Sequence, residues 1–426
     1  MRPQTLRAAL AAGAGLLLVM FFSCREIPSA AERALAAAPS CRGGAPELRV
    51  ALARGRDAVK VSVTGRFKLF GSSGAEIAIQ NESLSAVRVR ASGGGLAVGD
   101  TRLRYGSLEF RPAAGEEVWL DGVPLPGALG VFRESDGGSV SAAGTMDVEL
   151  YVCAALACTA GRARVPEAAL EAYAICLRTR ALYLMALARE SPGSAPFDLD
   201  DPGVLSALRD GSYRSVPFAR AANRTRGLVL TWDARLFPAP LTAACGGRTE
   251  DASNVLTAAS ITPLSGADCP HCARVKAGEP EWVVKLSTKR LTEALRPFVE
   301  GRGVYRLGAV RRVEVASTGS SGRATRLRLD TAYGPVELDA ELLRSALGEA
   351  TLPSTFFTVR EAGPELLEFA GRGEGHGLGL CRRGAEGMAL EGATSEEVLA
   401  RYFPGAVLAA LPYGERSART AARNRP

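Results

Sequence analysis

The chain has 426 residues, 47% hydrophobic and 23% charged, with a formal net charge of +7 and an isoelectric point near 9.0. These are globular values with room for two or three domains, which exclude a disordered or fibrous chain. The basic residues are scattered with no aromatic-interleaved basic block, so nucleic acid is not an expected partner; a genome rich in Arg and Ala accounts for the charge, and an anionic polymer such as the bacterial wall or a membrane face would also suit it.

In chain order the first element is a targeting signal. Arg2 and Arg7 form a positive start, and an apolar stretch runs from Ala8 to Phe22. It is too short and too sharply ended for a membrane span. Phe21-Phe22-Ser23-Cys24 follows, similar to a bacterial lipoprotein cleavage site although Phe22 is bulky. The expectation is an exported protein of the cell envelope, periplasmic or at the outer surface, with residues 1–24 as signal peptide. A membrane anchor through acylated Cys24, plain secretion with Cys24 removed, and an uncleaved anchor all stay open. Residues 25–46, rich in Ala, Pro and Ser, read as a linker.

From Glu47 short alternating runs begin, such as Leu48-Arg49-Val50 and Val59-Lys60-Val61, separated by glycine turns. They predict a small β-rich region over 47–145. A prominent helix is predicted from Pro166 to Arg189, with Leu170, Ala174, Leu177, Ala181 and Leu184 on one face. Strands return at 227–232, 282–286 and 312–315. Short helices are expected at 287–295, 339–347 and 395–402, and residues 416–426 read as a disordered polar tail. The fold class is α+β, mixed and largely antiparallel, with a Gly-rich histidine loop.

That loop is Gly371-Arg372-Gly373-Glu374-Gly375-His376-Gly377-Leu378-Gly379, continuing through Cys381-Arg382-Arg383-Gly384-Ala385 to Tyr402-Phe403-Pro404-Gly405. It resembles the signature of the SpoIID/LytB (stage II sporulation protein D) family, whose GRGWGHGVG stretch runs into an aromatic-Gly-Ala helix and closes on Tyr-Tyr-Pro-Gly. Ala172–Leu182 is similar to the family helix AQAVAARTYAL, and Cys245-Gly246-Gly247-Arg248-Thr249 to its Gly-Gly-x-Thr segment. Ser321-Gly322-Arg323 and Ser354-Thr355-Phe356 fit its later strands. The resemblance covers most of the chain from residue 47, with 146–415 as the family-like domain.

The resemblance implies work on peptidoglycan glycan strands, in the family by lytic transglycosylation, with other wall-processing proteins as further partners. That chemistry needs a carboxylic acid of raised pKa. Here the two family glutamates fall on Thr159 and Ala168, and the family glutamine on Tyr173. Substitute acids are Glu167 at the helix start and Glu374 beside His376, with Glu171 a turn further along the helix. The resemblance implies catalytic roles for His376 and one of these acids, and substrate contacts at Arg178, Thr179, Gly375 and Gly377. Two readings stay open: a glycan-cleaving enzyme with a relocated acid, and a catalytically silent relative that binds glycan or a wall enzyme.

Cys269-Pro270-His271-Cys272 has the spacing of a zinc ligand pair. A subset of the family carries further cysteines where Cys245 and Cys381 stand. The resemblance therefore implies one cluster of Cys245, Cys269, Cys272 and Cys381, holding structural zinc or forming two disulfides. Cys153, Cys158 and Cys176 read as small packing residues or a further disulfide.

Overall fold

The computed structural model describes residues 35–38, 44–72, 74–80, 82–161, 163–190, 196–255, 261–274, 281–300 and 306–414. The signal 1–24, the N-terminal portion of the linker and the tail 416–426 lie outside the described residues. Within the linker, Ala36 exchanges two backbone hydrogen bonds with Leu236, at 2.8 and 2.7 Å, which pins that stretch to the body.

Period-two alternation builds the first region. Strand Ala58–Val63 shows it plainly, with Val59, Val61 and Val63 buried and the residues between them more exposed. Residues 47–147 form two facing sheets. One runs, edge to edge, 199–200, 47–56, 140–147, 129–133, 107–112, 67–71 and 76–80. The other runs 123–125, 118–120, 58–63, 84–92, 95–98 and 101–103. All neighbours are antiparallel except the short parallel pair of Val50–Ala51 with Leu199–Asp200, which ties this sandwich to the helical region.

Eight α-helices occur among the described residues: α1 (Val148–Ala160), α2 (Glu167–Glu190), α3 (Gly203–Asp210), α4 (Val216–Arg224), α5 (Thr288–Glu300), α6 (Ala340–Leu347), α7 (Arg382–Leu390) and α8 (Ser395–Tyr402). Helices α2, α5, α6 and α8 are announced by the sequence. Helix α1 is not, because it is apolar nearly all round and buries Val148, Tyr151, Val152, Ala154, Ala155 and Leu156 without a polar face to set a period. Asp147 starts it, its carboxylate accepting the backbone N–H groups of Glu149 and Leu150 at 2.8 and 2.9 Å.

The chain returns on itself late. Leu228–Trp232 pairs antiparallel with Val407–Ala410, and Leu241–Thr242 pairs parallel with Leu380–Cys381. Between these strands lies an excursion with its own core of Leu286, Leu291, Leu295, Leu327, Leu329, Leu343 and Phe369. Its framework is two three-stranded antiparallel sheets, 281–287/366–372/357–363 and 310–318/324–331/334–339, with α5 and α6. The architecture is mixed α+β and largely antiparallel, as the patterning predicts.

Within the helical region the ion pair of Arg178 and Glu149 is closed to water. Arg178 on α2 has no exposed surface. Its Nε and Nη2 donate to the two carboxylate oxygens of Glu149 on α1 at 2.9 and 2.6 Å. Glu149 also accepts from the Tyr413 hydroxyl at 3.0 Å. Removing either partner strands the other charge. Glu149→Ala is therefore expected to cost about 3–5 kcal/mol in urea unfolding, whereas Glu167→Ala, an exposed pair with Arg224, costs under about 1 kcal/mol.

Candidate functional site

The histidine loop is a backbone knot. Glu374 exchanges two hydrogen bonds with Ala244, the Gly375 N–H donates to the Pro353 carbonyl, and the Gly377 carbonyl accepts from the Glu250 N–H. The Gly377 N–H donates to the Thr242 hydroxyl at 3.0 Å. Gly377 sits at φ +81°, and a Cβ there would strike the Arg323 guanidinium, so glycine is required on both counts. Gly375 and Gly377, expected to meet substrate, thus spend their backbone groups on the fold.

His376 is held in the same way. Its Nδ1 accepts from the Leu378 N–H at 3.0 Å, which leaves Nε2–H as the donor toward the Leu241 carbonyl. The ring is neutral, because burial disfavours the cation and Arg344, Arg323 and Arg180 repel it, lowering its pKa to about 3. An imidazole with both nitrogens committed and no readily gained proton is a strap between the loop and strand Leu241–Thr242.

The expected carboxylates are spread out. Glu167 is exposed at the start of α2, 2.8 Å from Arg224. Glu171 lies 3.5 Å from the same guanidinium and accepts from the Ser395 hydroxyl. Glu374 is exposed on the loop. Arg178 and Thr179 are fully buried; the Thr179 hydroxyl donates to the Ile175 carbonyl and accepts from the Leu230 N–H.

Two of the altered motif positions, Thr159 and Tyr173, meet at Arg382. Thr159 stands in the last turn of α1, and its carbonyl accepts from Arg382 on α7. The Tyr173 hydroxyl reaches the Arg382 carbonyl at 2.8 Å and Glu386 at 3.0 Å. Where the resemblance calls for a glutamate, a guanidinium closes on a main-chain oxygen. Sequence reasoning does not single out Arg382 and Glu386, which carry no pattern beyond their place after the loop.

The four cysteines come together. Cys245, Cys269, Cys272 and Cys381 are buried, with all four sulfurs within 4.8 Å of one another. Cys269 and Cys272 are 3.1 Å apart, Cys272 and Cys381 3.2 Å, and Cys245 and Cys272 3.6 Å. All four are free thiols, as are Cys153, Cys158 and Cys176. Such a group could hold a metal. A tetrahedron with metal–sulfur bonds of about 2.3 Å has sulfur–sulfur edges of roughly 3.8 Å, close to the spacing present. Hydrogen bonds from Cys245, Cys272 and Cys381 hold the Cys269 thiol well below its ordinary value, while burial pushes Cys381 up. The group cannot ionise fully without a cation. The Tyr402 hydroxyl lies 3.0 Å from the Cys269 sulfur, and a Cβ at residue 384 would strike both, which explains Gly384 in α7. His271 points away, its Nδ1 3.0 Å from Glu391.

Two further buried side chains, inconspicuous in the sequence, fasten the excursion to this region. Glu250 accepts from the hydroxyls of Ser320 and Ser321 at 2.9 and 2.6 Å and from Asn254 at 2.8 Å. Burial pushes its carboxyl up, but these donors outweigh it and hold the pKa below the ordinary value. Arg323 donates to the Gly375 and Cys245 carbonyls at 3.0 and 2.7 Å.

Comparison with known proteins adds the family. Residues 136–232, spanning the last sandwich strand through α4 to strand Leu228–Trp232, match the family described as Stage II sporulation protein, SpoIID. The chain carries a SpoIID domain. That domain ties it to cell-wall-related work. Residues 278–379, which take in the whole excursion 281–372 and the histidine loop as far as Gly379, match a domain of unknown function, DUF8618. The protein BHWA1_00569 of Brachyspira hyodysenteriae (strain ATCC 49526 / WA1), described as uncharacterized, is 26% identical over 367 residues, covering 84% of this chain and 91% of that protein. The similarity thus extends beyond the SpoIID domain across most of the chain.

The strap has a pH signature. The folded-state pKa of His376, about 3, lies below the ordinary 6.5, so the unfolded chain binds this proton first as pH falls. The stabilisation is complete above about pH 6.5 and is lost toward pH 3, by at most about 1.4 kcal/mol per pH unit, less because the residue keeps some exposure. Urea midpoints measured from pH 7 to 4 should fall more steeply for the native chain than for His376→Gln; parallel curves contradict this role.

Proposed function

We propose that the protein is an exported cell-envelope protein that binds peptidoglycan glycan strands without cleaving them, with its histidine loop held by a structural zinc ion. The observation that carries this reading is the Thr159–Arg382 contact. It occupies the end of α1, where the resemblance calls for an acid, and brings a cation in its place. Chemistry supports the same conclusion. A general acid must hold a proton at working pH, which takes burial without a compensating cation, whereas Glu167 is exposed and paired with Arg224. Glu374 is likewise open to water.

Binding has its own support. Glycan strands freed of their peptides carry a carboxylate on each lactyl group, and a chain that stays net positive without Arg2 and Arg7 of the signal suits such a polymer. Export rests on the signal-like residues 1–24, and anchoring to the membrane on Cys24 as a lipid acceptor. The four buried thiols suit zinc because a closed four-thiolate set leaves no open position for water, which makes the ion a brace rather than a reagent. Cys245, Cys269, Cys272 and Cys381 would hold it.

Mature protein incubated with peptide-free glycan strands tests the reading. It should be retained on the strands, with retention weakening as salt rises, and mass spectrometry should find no anhydro-sugar ends. Release of anhydro products, or no retention at low salt, overturns it.

A further inference from the structure

Arg323 presents an electrostatic problem. It lies on the hairpin joining strands Val310–Thr318 and Ala324–Thr331, in the excursion matched to the domain of unknown function. Only 1% of it is exposed. All its hydrogen bonds go to neutral carbonyl oxygens: Gly375 at 3.0 Å, Cys245 at 2.7 Å and Ala244 at 3.5 Å. Its Nε has no partner. Among the described residues no carboxylate lies within ion-pair distance of it, in contrast to Arg178, which grips Glu149 with two bonds. A buried guanidinium without a counter-charge is costly. Something anionic nearby has to offset it.

The anionic group at hand is the cysteine cluster. Arg323 donates to the main chain of Cys245 itself. A divalent ion in four thiolates leaves a net charge of −2, which is also costly to bury unless a cation stands beside it. Each group supplies what the other lacks. Glu250 and Glu341 act on Arg323 only at longer range, and Arg344 opposes them.

We infer that Arg323 is the charge-compensating partner of a four-thiolate metal centre, so that the excursion 281–372 and the histidine loop are locked through the metal to the segments that carry Cys245, Cys269 and Cys272. This rests on the metal reading above. Arg323 is a positioning residue: it touches no ligand atom and acts through the Cys245 and Gly375 carbonyls. The consequence is a linkage. The metal binds more tightly because the guanidinium is present, and the hairpin sits more firmly because the metal is present. It also gives this stretch of the excursion a role in holding the centre.

The test uses the full mature chain purified without chelator. Zinc content, zinc retention against a competing chelator, and the pH of half-release are compared for the native chain, Arg323→Lys and Arg323→Gln. Loss of the outer partner should weaken retention roughly 10–100-fold in Arg323→Gln and raise the pH of half-release by about one unit, since protons then compete with less opposition. Arg323→Lys keeps the charge and should recover most of both; a merely structural role would not separate the two variants in this way. Should a variant fail to fold, the native chain alone still decides the matter. Stripping its zinc should speed amide exchange at residues 318–323 and 374–377, and unchanged exchange there overturns the inference. So does an Arg323→Gln protein that retains zinc like the native chain. A native chain that holds no metal overturns the metal reading instead, and with it this one, while glycan binding stands or falls separately.

Discussion

Four sulfur atoms within 4.8 Å of one another gather three stretches of the chain, two of which also meet in the short parallel pair of Leu241–Thr242 with Leu380–Cys381. Cys245 and Cys381 are 136 positions apart, and the Cys245 N–H donates to the Cys381 sulfur at 3.3 Å. Cys269 and Cys272 come from a short turn beneath α7, and Tyr402 closes the group from the end of α8. Neutral thiols at such spacing gain little from one another, and thiolates repel. A divalent cation converts the same geometry into a cross-link of the kind small exported domains often need. The histidine loop lies directly upstream of Cys381 and is tied to the same segment by its hydrogen bonds to Ala244 and Thr242.

Around that centre, polar groups are spent on holding main chain rather than on meeting solvent. His376 joins the loop to strand Leu241–Thr242, Thr242 caps the Gly377 N–H, and Arg323 gathers carbonyls from both sides. Glu250 does the same for the hairpin carrying Ser320 and Ser321. The excursion has its own core, and these buried polar contacts fasten it to the segment 241–250 and the histidine loop. Burying so many charges gives specificity of docking more than net stability. A loop fixed on all sides suits a rigid binding face.

How much of this the sequence discloses depends on whether a feature is periodic. Helix α2 is legible because Pro166 opens it and apolar residues recur along one face. The sandwich is legible from alternation punctuated by glycine. Helix α1 is silent because Val148–Ala160 is apolar all round. The cysteine group is legible in two ways: Cys269 and Cys272 announce a ligand pair by spacing, and the family resemblance adds Cys245 and Cys381, which no local pattern ties to them. His376 stands out as a lone histidine among glycines, yet its role turns on the Leu241 carbonyl, 135 positions away in the sequence. Arg323 follows Ser-Gly in a tight turn like many arginines, and nothing local reveals that it will be sealed from water. Glu167 is the reverse case, an acid whose place at a helix start suggests chemistry and which lies exposed against Arg224.

The account stands on the cysteine centre, and X-ray absorption at the zinc edge of the purified mature chain tests it most directly. The expected spectrum is a single shell of four sulfur scatterers at about 2.3 Å, from roughly one ion per chain. A first shell containing nitrogen or oxygen, or a protein that carries no zinc and has its four thiols paired as disulfides, would contradict it.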